Sequence, residues 1–86
     1  MATLHIVNKS SALESCLETA TTNDCVLLIE DAVYQAALHT DRPLLALRDD
    51  LDARGLESRT GKNISIVDYA GFVELVENHQ PVVSWR

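Results

Sequence analysis

Apolar residues in this chain come in short blocks of two kinds, and the regular alternation between them predicts its architecture. Leu4 to Val7, Cys25 to Ile29, Leu44 to Leu47 and Ile64 to Val67 are compact, largely aliphatic runs. Runs of this length, rich in branched residues, suit strands covered on both faces. Between them the apolar positions change period. Leu13, Cys16, Leu17 and Ala20 recur at helical spacing, with Glu14, Ser15 and Glu18 on the opposite side, predicting an amphipathic helix of about three turns. Val33, Tyr34, Ala36, Ala37 and Leu38 form a second helical block, and Phe72, Val73, Leu75 and Val76 a last one.

The residues between blocks supply plausible boundaries. Ser11 followed by Glu14 fits a capping box, in which each side chain satisfies a backbone N–H at the helix start. Asp31, Asp49 and Asp68 each stand where a helix needs an N-cap. Pro43 opens the third strand at a position that tolerates a missing N–H, and Gly55 is placed to end a short helix at its C′ position. His39 to Arg42 reads as a polar turn and Ser58 to Asn63 as the most loop-like stretch. Asn78 to Pro81 stop the last helix, and Val82 to Trp85 follow as a short extended tail. Strand and helix alternating in this way predict an α/β fold: a small, mostly parallel sheet of four to five strands with helices on both faces. Residues 1–86 are expected to form one domain.

Composition narrows what such a domain can do. A chain of 86 residues buries only roughly 60–65% of its unfolded surface, so docking against a partner is a natural way to cover the shortfall. Aromatics make up 5% of it, which leaves aliphatic residues to fill the core. A net charge of −6 repels phosphate backbones and argues against direct nucleic-acid binding. No apolar run approaches the ~18–20 residues needed to span a bilayer. Met1 to Ser11 contains neither a charged n-region nor an h-region, so no secretory signal is expected. Two cysteines without a pairing motif fit a reducing compartment, and a cytoplasmic location is expected.

In open α/β sheets function gathers beyond the carboxyl ends of the strands. Those ends carry Asn8-Lys9, Glu30-Asp31, Arg48-Asp49-Asp50 and Asp68-Tyr69, which include several acids but no nucleophile paired with a base. Capping and solvation account for these acids more simply than a cation site does. Gly55, Gly61 and Gly71 are isolated, and the first strand–helix turn, NKSS, lacks a phosphate-cradling glycine pattern. His5, His39 and His79 are scattered, none at metal-ligand spacing with a cysteine, and no cofactor or metal is expected. Cys16 is the one residue of chemical interest. A persulfide carrier needs a thiolate, hence exposure and nearby positive potential. Spacing instead puts Cys16 on the apolar stripe with Leu13 and Leu17, beside Glu14 and Glu18. Cys25, at the start of a strand, is expected to be still more firmly part of the core.

Six segments taken in order resemble the DsrH/TusB family: LHIVNKS, SALESCL, VLLIEDAVY, DLDARGL, ISIVDYAGFVEL and the final SW. The likeness runs over nearly the whole chain, with a shorter loop after Asn8-Lys9-Ser10 than relatives often have. It implies a DsrE-like fold and a subunit of an intracellular sulfur relay. Such a subunit assembles with TusC/DsrF-like and TusD/DsrE-like chains and passes persulfide sulfur between carrier proteins. The process served is either 2-thiolation of the wobble uridine of tRNA or oxidation of stored sulfur. The principal sulfur-bearing cysteine of that family lies in the TusD/DsrE-type partner, which makes this chain largely architectural. Cys16 nevertheless matches a cysteine of DsrH-type members, so a sulfur-handling role stays open beside the structural one. Trp85, with Tyr69 and Phe72, is a candidate interface group, the alternative for Trp85 being packing over the sheet edge. Two other readings remain. One is a free-standing homo-oligomeric persulfide carrier using Cys16, and the other a small-ligand or cation-binding module using the acidic loops.

Overall fold

A computed structural model describes residues 2–38 and 42–86. Five strands form one sheet: β1 (Leu4–Val7), β2 (Cys25–Leu28), β3 (Leu44–Leu47), β4 (Ile64–Val67) and β5 (Val82–Trp85). All the pairings are parallel and the order is β4-β3-β2-β1-β5. The tail expected after the last helix is thus a fifth strand, registered Leu4 to Val82 and Val7 to Trp85 on the free edge of β1. Helices α1 (Leu13–Thr19), α2 (Arg48–Ala53) and α3 (Tyr69–Asn78) connect them, with a 3₁₀ turn at Ser10–Ala12 and a 3₁₀ helix over Glu30–Ala37. The expected turn at His39 to Arg42 lies, but for Arg42, outside the described residues.

Strand order decides which face each helix covers. From β1 to β4 the chain steps one strand at a time in a single direction, so right-handed crossovers put α1, the 3₁₀ helix and α2 on one face. The last crossover returns across the sheet to β5, and the same handedness puts α3 on the other face. Packing agrees. Val7, Val26, Leu28, Leu44 and Ala46 form one core cluster with Leu13, Cys16, Val33, Ala36 and Leu51, and no residue of α3 belongs to it. The alternate strand positions face α3. At the centre of that side Leu4 and Leu27 are fully buried, while Ile6, Leu45 and Val67 are half-buried and Val82 is exposed.

Helix boundaries show where local signals gave way to tertiary partners. Asp68 caps α3 as its position predicts, its Oδ1 accepting the Gly71 N–H at 2.7 Å. Gly55 (φ +66°) ends α2 with two bonds, Gly55 N–H to Asp52 O and Leu56 N–H to Leu51 O. This is the Schellman arrangement, and its apolar pair, Leu51 and Leu56, is buried in the core. The capping box does not form: a 3₁₀ turn precedes α1 without a side-chain cap, and the Ser10 hydroxyl donates to the Asp31 carbonyl. Asp31 does not cap either, because it takes the Arg54 guanidinium at 2.8 Å. Asp50 of α2 instead accepts the Glu30 N–H at 2.7 Å, where Glu30 sits in the left-handed region (φ +50°). Asp49 lies in the first turn of α2 rather than at its cap, which is Leu47, because the helix starts directly from the end of β3.

Candidate functional site

The carboxyl ends of the strands are occupied with structural work. Arg54 donates through Nε and Nη2 to Asp31 Oδ1, and through Nη1 to the Asp50 carbonyl, while its guanidinium lies 6.0 Å from the Tyr34 ring. These partners raise the Arg54 pKa, the Asp31 hydrogen bonds foremost. The acids singled out in the sequence thereby tie the 3₁₀ helix to α2 and cap α3. Among the described residues no group of three or more His, Cys, Asp and Glu side chains is placed to hold a metal ion. A cleft of ≈ 350 Å³ does open at the ends of β1, β2 and β5, lined by Asn8, Glu30, Ser84, Trp85 and Arg86 among others.

The two thiols lie on opposite sides of the sheet. Cys16 is fully buried on the closed side, as the helical spacing of α1 requires, and its thiol is pushed up to about 11. Loss of hydration is the main cause; Arg42 pulls the other way and Asp24 adds to the rise. At neutral pH Cys16 is therefore held as the protonated thiol. Cys25, paired with Leu4 on the side that α3 covers, is half-buried and lines a cleft of ≈ 170 Å³ with Pro43, Leu45 and Ser65 among others. The expected ranking is thus reversed: Cys25 is the more accessible thiol. The first residue of a strand is covered only as far as its neighbours extend, and a position in mid-helix on the apolar stripe is covered completely.

Tyr69 and Phe72 come together, edge to face, with ring centroids 5.9 Å apart. On α3 the residues Phe72, Leu75 and His79 lie along one line and are half-buried. Tyr69, Val73 and Val76 follow a second line about a quarter-turn away and are 63%, 41% and 40% exposed. Val82, 39% exposed on β5, is a further exposed apolar residue on the open side of the molecule. Sequence reasoning named only Tyr69 and Phe72 of this group. The available signal was the width of the stripe, too broad for one sheet to cover.

Trp85 lies on the other side. It packs against the closed core, and its indole N–H donates to His5 Nδ1 at 3.1 Å. His5 is 3% exposed and meets Asp24 through Nε2 at 3.0 Å. Asp24 also accepts the Thr3 and Thr21 N–H groups, which with His5 hold its carboxyl well below the usual range. The sequence hint was a histidine in line with inward strand positions, where a buried ring must find partners.

A five-stranded parallel sheet, closed on one side and thinly covered by a partly apolar helix on the other, defines a small α/β protein suited to being a subunit. The comparisons give that class a family. The family of DsrH like proteins matches residues 7–82, and the chain belongs to it. It is 34% identical over 82 residues to Protein TusB of Serratia proteamaculans (strain 568), which covers 85% of this chain and 86% of that protein. It is 33% identical, with the same coverage, to Protein TusB of Yersinia pestis (strain Pestoides F) and of Yersinia pseudotuberculosis serotype O:1b (strain IP 31758). No helix among the described residues is long and apolar enough to cross a membrane.

Proposed function

We propose that this chain is a largely architectural subunit of a cytoplasmic sulfur-relay complex, built with TusC/DsrF-like and TusD/DsrE-like partners. The observation that carries the reading is α3: none of its residues is buried, and its second apolar line stands in solvent within a fold whose other side is sealed. Membership of the DsrH like family supports the process read here, transfer of persulfide sulfur toward either tRNA wobble-uridine thiolation or oxidation of stored sulfur. Tyr69, Val73 and Val76 form the docking line, Phe72 backs it through its contact with Tyr69, and Trp85 supports it indirectly by holding β5 in the sheet.

The chemistry of Cys16 supports the architectural role. Accepting sulfur requires a thiolate to attack the terminal sulfur of a donor persulfide, releasing the donor thiolate. A sealed, protonated thiol is a poor group for that step, so the sulfur passes through a cysteine of a partner. Co-purification from the chain's own host tests the assembly, with TusC- and TusD-type chains expected in the complex. A chain recovered without them would remove the basis of this reading. A free-standing carrier using Cys16 is the competing outcome. Loading with a cysteine desulfurase and free cysteine would then add about 32 Da, the mass of one sulfur atom, at Cys16, and Cys16→Ser would abolish the gain.

A further inference from the structure

Trp85 and His5 lie 80 positions apart in the sequence, and their contact fixes a tautomer. An indole N–H can only donate, so Nδ1 of His5 must accept it. The single ring proton of neutral His5 then sits on Nε2 and is donated to Asp24 Oδ2. Around the ring, neighbouring elements bring three charged or titratable groups. Asp24 is in direct contact and strongly acidic. Arg42 reaches the carbonyls of Ala20 and Asp24. Cys16 is coupled electrostatically to both Arg42 and Asp24, and its high pKa keeps it neutral.

The two sides of His5 respond oppositely to a second proton. Asp24 stays ionised as the medium turns acidic, so a charged imidazole keeps and strengthens that bond. Toward Trp85 the new N–H on Nδ1 would face the indole N–H, donor against donor, and the bond is lost. We infer that His5 is a proton-operated latch on β5, holding Trp85 when neutral and releasing it when charged while staying bound to Asp24. The latch acts at a weakly tied place. β5 is an edge strand paired only with β1, and the bonds at the ends of that ladder run from Leu4 N–H to Pro81 O and from Asn8 N–H to Trp85 O. It is a property of the chain alone and stands apart from the assembly reading.

Trp85 is the only tryptophan, so its indole Nε1–H gives one assignable NMR signal. The folded chain is acidified from about pH 8 to about pH 5. The indole signal should leave its hydrogen-bonded position over that range. The exchange protection factors of the Leu4 and Asn8 amides should fall about tenfold, the weight of one lost hydrogen bond. His5→Gln can still donate to Asp24 but takes up no proton there, so the step should vanish. In Trp85→Phe the Leu4 and Asn8 protection should no longer respond to pH. A flat indole signal in the unaltered chain, or a step that persists in His5→Gln, would overturn the latch. If His5→Gln does not fold, an undiminished acid-induced loss of protection in Trp85→Phe does the same.

Discussion

The two faces of the sheet are made from the same kind of residue and end in different states. On the α1 and α2 side, Val26, Leu28 and Ala46 are at most 1% exposed and meet residues from three helical segments. On the α3 side Leu4, Leu27 and Leu47 are sealed while their neighbours are not, and α3 keeps half of its own apolar stripe in water. One chain of this size can finish one core. The second face has apolar residues enough for another but too few elements to enclose it, and the proposed partner subunit would supply the missing layer.

This comparison can be broken most forcefully by truncation. Leu28→Ala, on the closed side, should lower stability by about 2–5 kcal/mol, because it leaves a cavity that a packed core cannot refill. Val73→Ala on the open side of α3 should cost far less in the isolated chain, about 0.5 kcal/mol, since the residue is already 41% exposed. Urea unfolding of the two variants measures both. Equal losses would show that the open side is part of the folded core after all.

The thiols sharpen the same contrast. An aromatic disulfide reagent should modify Cys25 promptly and Cys16 only as the closed side opens, giving one fast and one slow equivalent. Cys25→Ser should abolish the fast phase. A fast phase that survives in Cys25→Ser would place Cys16 within reach of solvent and restore it as a sulfur carrier.

The smallest expected effects are pH-dependent and opposite in sign. Asp24 has a depressed folded pKa, so its contribution is present above the ordinary carboxylate range and is lost as pH falls through and below it. Asp24→Asn should flatten that acid limb of a stability profile. Glu57 is the reverse case. Its pKa is raised by Asp52, through their shared hydrogen bond and then through charge repulsion. Its contribution is therefore full at low pH and is lost as pH rises through the raised value. Glu57→Gln should remove this weak dependence, and a profile unchanged in both variants would contradict both assignments.

Strands were the most legible feature of the sequence because each apolar block is short, uninterrupted by Gly or Pro and separated from the next by a helical period. β5 was harder to recognise, since a four-residue tail gains its strand character only from pairing with β1. Gly55 and Asp68 act locally and were readable; Asp31 and Ser11 were misread because a distant Arg54 and a 3₁₀ turn outcompeted the local cap. The burial of Cys16 followed from helical period. The openness of Cys25 depends on how far neighbouring elements extend, which no local pattern records. The Asp24–His5–Trp85 chain joins both ends of the sequence and was invisible for the same reason.

Hydrogen–deuterium exchange tests most directly whether the α3 side is the docking face. The chain should be measured alone and in complex with TusC- and TusD-type partners. Amides of Tyr69–Asn78 and Val82–Trp85 should exchange measurably more slowly in the complex, while α1 and α2 change little. A stable complex in which α3 exchanges as fast as in the isolated chain would contradict the account.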